Sequence, residues 1–295
     1  MILIDYSQIA ISNIAVQLAM SKDKNVLSIP MVRYMILNSI RGYVHKFKHD
    51  YPGDIIICVD GPDPWRRDIF ENYKAKRREG RNKDDKDWES VFGLLHTIKE
   101  EIKENFPYKV VQLDRVEADD IIAVIVKKTI KKPIPFEKYL IVSGDKDFQQ
   151  LQKYPHVSQY SPIQKKFIET DSPQEYIYEH ILRGDTSDGI PNFLSPDDTF
   201  VNGIKQKPVQ KKKLAGWLHS LMNNGDPKDF CNEYHYRNYQ RNQKLIDFDM
   251  IPEEIQTDIY TKYLEAEVTV ANRSKIMPYL INNDLKELIG KIEEF

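Results

Sequence analysis

Lys138-Tyr139-Leu140-Ile141-Val142-Ser143-Gly144-Asp145-Lys146-Asp147 is the stretch that decides the fold. A short aliphatic run stops at a Ser-Gly turn and delivers two aspartates. Its length, β-branched content and bounding turn residues read as a buried strand over 138–143. Three further runs share the form: 2–5, closing on Asp5; 54–60, closing on Asp60; and 109–114, followed by Glu117-Ala118-Asp119-Asp120. Between them lie segments of helical period. From Val32, the residues Ile36, Ile40, Tyr43, Val44 and Phe47 share one helical face, with Ser28 as N-cap, and 87–104 and 118–130 also read as helices. Strand and helix in alternation predict an α/β fold, a mostly parallel central sheet with helices on both faces.

In such sheets ligands gather beyond the carboxyl ends of the strands. Asp5, Asp60 and Asp145 all stand at that end. If 117–119 is still extended, Glu117 and Asp119 point the same way by the period of two. One topological rule therefore brings four acidic clusters to one sheet edge. A fifth, Gly184-Asp185-Thr186-Ser187-Asp188, lies in the second half. There the pattern changes: a short edge pair is expected around 157–160 and 166–168, then helices at about 173–183, 208–224, 227–248, 252–264 and 272–292. That half reads as a helical subdomain packed on the sheet.

At 295 residues, with 41% apolar and 30% charged side chains, the chain can bury a sizeable core. Its two cysteines, Cys58 and Cys231, supply neither a disulfide framework nor metal-ligand spacing, which points to a reducing compartment. Cys58 sits in the apolar run 55–59 and reads as core. No apolar stretch approaches the roughly 20 residues of a membrane span. The opening strand leaves no room for the basic start of a signal peptide. The net charge of −2 hides an uneven distribution: with the clustered acids set aside, the remainder is mildly basic.

Carboxylates without cysteine or histidine select hard cations, Mg²⁺ or Mn²⁺ over Zn²⁺. Acids spaced i, i+2 can serve two ions about 4 Å apart, the usual clamp for in-line attack on a phosphodiester. No serine elbow, Walker A loop or His-Glu-x-x-His offers a rival chemistry. Taken singly, each strand-end aspartate reads more readily as a helix cap or turn former than as a ligand. Asp120 and Asp147 also suit the first turn of a helix. Caps, however, need not converge on one edge.

Positive charge concentrates twice. Arg66 and Arg67, then Tyr73-Lys74-Ala75-Lys76-Arg77-Arg78 and Arg81, follow directly on Asp60. A lysine there could neutralise a scissile phosphate and a tyrosine could stack on a base; a solvated basic helix face is the alternative. Lys205, Lys207, Lys211, Lys212 and Lys213 have no acid among them. They read as a phosphate-backbone contact or as a solvated patch. His96 is given no role.

At these motifs the chain resembles the 5′-nuclease (flap endonuclease) superfamily, and within it the ribonucleases H of T-even-type bacteriophages. The carrying segments are Leu3 to Ala10, Trp65-Arg66-Arg67-Asp68, Tyr73-Lys74, Glu117-Ala118-Asp119-Asp120, Ser143 to Phe148 and Gly184-Asp185-x-x-Asp188. Leu245 to Asp249 and the terminal Glu293-Glu294-Phe295 extend the likeness over essentially the whole chain. The resemblance implies an α/β nuclease core over 1–180, with an arch or helical bridge at about 61–88. A helical DNA-binding subdomain with a helix–turn–helix-type element would fill 181–295. It implies a nuclease using two Mg²⁺, with Mn²⁺ as substitute, that degrades RNA·DNA and DNA·DNA duplexes from 5′ to 3′ and cuts flaps. Its work would be primer removal from lagging-strand fragments during phage replication, in the cytoplasm of the infected bacterium.

By motif position the resemblance places Asp5, Asp60, Asp119 and Asp145 around a first metal. Asp147, Asp185 and Asp188 would serve a second, with Glu117 and Asp120 close by or acting through water. Lys74 would be the electrostatic catalyst and Tyr73 its stacking neighbour. Arg66, Arg67, Lys76, Arg77 and Arg78 would join the nucleic-acid surface. Expected partners are forked, flapped or nicked duplex DNA, RNA–DNA hybrid, the single-stranded-DNA-binding protein and the sliding clamp, engaged by a monomer away from membranes. No clamp-binding peptide is visible. Two departures stand out: Gly189 follows Asp188 where relatives carry Asn, and the Gly-x-Gly that shapes a monovalent-cation site is missing, which counts against K⁺ there. The competing readings are a small single-strand ribonuclease of the PIN type, an Asp-x-Asp phosphatase and a non-catalytic junction binder. The first is weakened by the Gly184–Asp188 segment, the second by Asp5-Tyr6-Ser7, and the third by the intact set of acids.

Overall fold

The computed structural model describes every residue except 22–26, 84–86, 131–137 and 269, so three residues of the expected arch fall outside it. The strands are β1 (Ile2–Asp5), β2 (Ile55–Val59), β3 (Lys109–Gln112), β4 (Tyr139–Val142), β5 (Val157–Ser161) and β6 (Lys166–Ile168). The first helices are α1 (Tyr6–Met20), α2 (Ile29–Phe47), α3 (Arg66–Ile69), α4 (Ala75–Lys83), α5 (Trp88–Asn105) and α6 (Ala118–Thr129). Then follow α7 (Pro173–Arg183), α8 (Lys211–Met222), α9 (Glu233–Ile246), α10 (Glu253–Glu265), α11 (Val270–Asn282) and α12 (Lys286–Ile289).

The sheet runs β3-β2-β1-β4-β5-β6, parallel throughout except for the antiparallel edge strand β6. Ile4 pairs with Ile57 on one side and Val142 on the other, so β1, β2 and β4 end nearly level. The chain moves outward from β1 through β2 to β3, then returns to lay β4 on the opposite flank. That reversal opens a crevice beyond the carboxyl ends. Asp5 and Asp60 reach it at their strand ends, and Asp145 follows β4 after a short turn.

Alternation along β1 divides two cores. Ile2 and Ile4 face a cluster with α1, α2, α5 and the C-terminal residues Ile276, Leu280 and Phe295. Met1 and Leu3 face α6 together with Phe248, Ile259 and Tyr263. Burial on both faces is why the strands read as unbroken apolar runs. A third core joins α7, α8 and α9 to Phe70 and Tyr73 at the base of the arch. Among the described residues no helix is long and apolar enough to cross a membrane.

Three local expectations change, and one helix stands where none was expected. Residues 6–20 form α1 although no apolar stripe marks them, because isoleucine, alanine and methionine occur all round that helix. The segment 227–248 is not one helix: a 3-10 turn at Pro227–Asp229 precedes α9, which restarts where Asn232 accepts from the His235 amide. Likewise 272–292 breaks after α11, where Asp284 takes φ +56°. Of residues 117–119 only Glu117 is extended, at φ −91° and ψ 158°, while Ala118 and Asp119 already belong to α6. Glu117 is the N-cap of α6, in a reciprocal capping box with Asp120.

Candidate active site

Each strand-end aspartate caps a helix, and together they crowd one edge. Asp5 accepts from the Gln8 amide at 3.1 Å and from the Ser143 hydroxyl at 3.0 Å. Asp60 reaches across to the start of α6, accepting from the Ala118 amide at 2.7 Å. Asp145 caps a 3-10 helix over 146–153 by accepting from the Asp147 amide at 3.0 Å. Burial, and then the neighbouring charge of Asp60, push the Asp5 carboxyl up to about 7. Asp119 is also raised well above the ordinary aspartate value, mainly by burial.

Behind this edge lies a buried ion-pair network. Arg66 donates to both oxygens of Asp120 at 2.8 and 2.7 Å, to Glu117 at 3.0 Å and to the Leu245 carbonyl at 2.8 Å. Trp65 Nε1 adds a bond to Asp120 at 2.8 Å. Arg66 is 2% exposed and Asp120 0%. Both are buried, which removes Arg66 from the expected nucleic-acid surface. The geometry makes Asp120 a partner for Arg66, although it lies within ligand distance of Glu117 and Asp119. Tyr73, expected as a stacking residue, is likewise buried. It is 1% exposed, and its hydroxyl donates to Glu117 at 2.9 Å and Asp188 at 3.1 Å, so its ring cannot stack on a base.

Lys74 closes the pocket from the arch side. Its Nζ lies 2.5 Å from Glu117 and 3.5 Å from Asp188. Burial opposes its charge, but Glu117 and Asp188 together hold the ammonium above the ordinary lysine value. Burial likewise works against the charged form of Glu117, yet Lys74 and Arg66 keep it below the usual range. The arch base is fastened to the turn at 184–190. The Lys74 amide donates to the Asp188 carbonyl at 2.8 Å, and Arg77 reaches the Ser187 carbonyl at 3.0 Å and Asp188 at 2.7 Å.

The glycines explain this turn. Gly189 has φ +74°, and a Cβ there would stand 3.1 Å from the Asn72 carbonyl. Gly184 has φ +69°, and its Cβ would strike the Ile190 carbonyl. The departure at Gly189 therefore admits the arch base against the turn.

The second group of acids is organised by a residue that sequence reading passed over. His180 on α7 lies 3.2 Å from Asp147 Oδ1 through Nδ1 and 3.1 Å from Asp185 Oδ2 through Nε2. Only its place before the Gly184–Asp188 motif could have flagged it. Burial opposes the charge of Asp185, but His180, Ser187 and the Lys146 ammonium hold its carboxyl well below the usual range. Asp147 is pushed up to about 7 by burial, then by Asp145 and Asp185, with His180 pulling the other way. Asp188 is also raised, first by burial. Asp147 Oδ1 is buried with no hydrogen-bond partner. Raised aspartates and an orphaned oxygen mark negative charge in excess, and a divalent cation relieves it.

Two sets of side chains offer ligand atoms within 4.8 Å among the described residues: Glu117, Asp119 and Asp120, and Asp147, His180 and Asp185. Lys205, Lys207, Lys211, Lys212 and Lys213 are exposed on and before α8. Lys76 and Arg77 are exposed on α4, while Arg67 and Arg78 are half-buried and bond Asp63 and the Tyr73 carbonyl.

Residues 1–180 match the family model described as the 5′-3′ exonuclease N-terminal resolvase-like domain, and 171–295 match the T4 RNase H C-terminal model. Ribonuclease H of Enterobacteria phage T4 is 36% identical over 99% of this chain and 95% of its own length. The bacteriophage T5 flap endonuclease, solved as a pseudo-enzyme–product complex with DNA and metal ions, superposes with a TM-score of 0.61 at 17% identity. It covers 90% of this chain and 98% of that one. A T5 5′-exonuclease structure with bound zinc gives 0.58 at the same identity and coverage. The T5 likenesses show the fold.

Proposed function

The chain belongs to the 5′-3′ exonuclease family, in its phage ribonuclease H branch, and on that premise we propose how this nuclease works. The reading is a divalent-metal-dependent phosphodiesterase that degrades RNA–DNA and DNA–DNA duplexes from the 5′ end and cuts 5′ flaps. The observation that carries it is the convergence of Asp5, Asp60, Asp119 and Asp145 on one sheet edge, with Asp147, Asp185 and Asp188 beside them.

The donor set fits hard cations, and Mg²⁺ is the expected occupant, with Mn²⁺ as substitute. Two such ions, when bound, supply Lewis acidity and charge neutralisation at the scissile phosphodiester. Asp5, Asp60, Asp119 and Asp145 would hold the first and the Asp147–Asp188 group the second. Lys74, kept cationic by Glu117 and Asp188, would neutralise the charge that develops on the phosphate. Tyr73 and Arg66 hold Glu117 in place, and Asp120 anchors Arg66. The exposed lysines on and before α8, with Lys76 and Arg77, track the duplex backbone. The nuclease core would span 1–180, with the arch at about 61–88, and the helical DNA-binding part 181–295. C-terminal α10 and α11 nevertheless pack on the sheet layers. Primer removal in the cytoplasm of an infected bacterium, as a monomer alongside the single-strand-binding protein and clamp, is the biological setting this supports.

A panel of 5′-labelled nicked, flapped and RNA-primed duplexes tests the reading. Cleavage with Mg²⁺ and none with EDTA is expected; failure to cut any 5′-ended substrate overturns it.

A further inference from the structure

We propose that His180 is a nitrogen ligand of the second metal position, bound through Nδ1 beside Asp147, and that Asp185, given above as a ligand of this ion, instead fixes the ring from behind. The proposal rests on the metal-dependent reading above. It assigns to this chain a ligand type that carboxylates alone do not supply.

The ring is buried, at 7% exposure, and its two nitrogens have different surroundings. Nε2 lies 3.1 Å from Asp185 Oδ2. An ionised carboxylate only accepts, so Nε2 carries a proton, and in the neutral ring Nδ1 presents its lone pair. Asp185 is itself held by Lys146 at 3.1 Å and by the Ser187 amide and hydroxyl at 2.7 and 2.6 Å. A metal-bound histidine commonly donates its other N–H to a carboxylate in this manner.

On the other side, Nδ1 and Asp147 Oδ1 are 3.2 Å apart, yet Asp147 Oδ1 has no hydrogen-bond partner. With the ring neutral, two lone-pair atoms face each other in a buried position. Adjacent ligands of an octahedral ion with bonds of about 2.1 Å stand about 3.0 Å apart. The observed separation fits two neighbouring ligands of one ion. The other polar group at Nδ1 is the Tyr176 hydroxyl, at 3.5 Å. Imidazole shifts affinity toward transition ions such as Mn²⁺ and away from Mg²⁺.

The test uses the full chain loaded with Mn²⁺ and read by electron-spin-echo envelope modulation. A directly coordinated imidazole gives ¹⁴N modulation that becomes the ¹⁵N pattern when histidine is ¹⁵N-labelled. That comparison needs no variant to fold. In His180→Gln the modulation should vanish and Mn²⁺ affinity at this position should fall at least as far as the roughly 10–100-fold that loss of an outer-shell partner costs. Bound Mn²⁺ without nitrogen modulation, or modulation that persists in His180→Gln, overturns the histidine assignment and leaves the metal reading standing. A chain that binds no Mn²⁺ overturns both.

Discussion

Replacing Arg66 by methionine keeps the stem and removes the guanidinium. Asp120, at 0% exposure, would then keep only Trp65 and its capping bond, and Glu117 would lose one of its two cations. Breaking a buried ion pair from one side costs about 3–5 kcal/mol, because the remaining charge is stranded. With an unfolding entropy of about 2 cal/mol/K per residue, a chain of this length loses roughly 5–8 °C in Tm. Urea unfolding of Arg66→Met supplies the stability difference. Arg66→Met/Asp120→Leu should recover part of the loss, since the stranded carboxylate is gone. Duplex binding as a function of salt gives an independent reading. Arg66 is buried, so the slope should stay unchanged. A stability loss below about 1 kcal/mol, together with a slope reduced by about 0.9, would refute the structural role and restore Arg66 as a phosphate contact.

Lys74→Ala should lower turnover more than duplex affinity; a variant that lost affinity alone would show Lys74 merely holding DNA. Gly189→Ala places a side chain in left-handed backbone against the Asn72 carbonyl, at a cost of about 1–2 kcal/mol. Turnover should drop as Lys74 shifts, and unchanged turnover and stability would contradict the fastening of the arch base. Replacing Lys211, Lys212 and Lys213 together by alanine should flatten the salt dependence of binding by up to about 2.7 in log–log slope. The metal-free chain should weaken as pH rises. Asp5 and Asp147 sit at about 7 when folded against an ordinary 3.8, so their contribution is complete below pH 4 and lost as pH climbs through 7. Thermal melts with EDTA at pH 5 and pH 8 measure this, and Mg²⁺ should remove the difference; equal melts with EDTA would contradict the charge excess.

The strands and their acids were legible because a parallel sheet buried on both faces writes each strand as a short apolar run with its functional residue at the end. α1 was hidden for the related reason that a helix apolar on all sides carries no periodic stripe. At the site, residue type announced carboxylate chemistry, but type does not say which acid is answered from within. Asp120 and Asp119 are neighbours in sequence, yet only Asp120 faces Arg66 and Trp65 from the arch base. Tyr73 and Arg66 looked like nucleic-acid contacts because they lie in a basic run; the third core folds that part of the run inward. His180 is separated from Asp147 by β5, β6 and most of α7, so no local spacing records their approach.

The most direct test of the account is the cleavage rate of a 5′-labelled nicked duplex by the native chain and by Asp145→Asn, each with Mg²⁺ and with EDTA. Asp145 stands at the carboxyl edge where the first group of acids meets, and its loss should abolish cleavage while leaving the fold and duplex binding in place. Native-like cleavage by Asp145→Asn, or cleavage by the native chain in EDTA, would contradict the claim that this acidic edge is the catalytic centre.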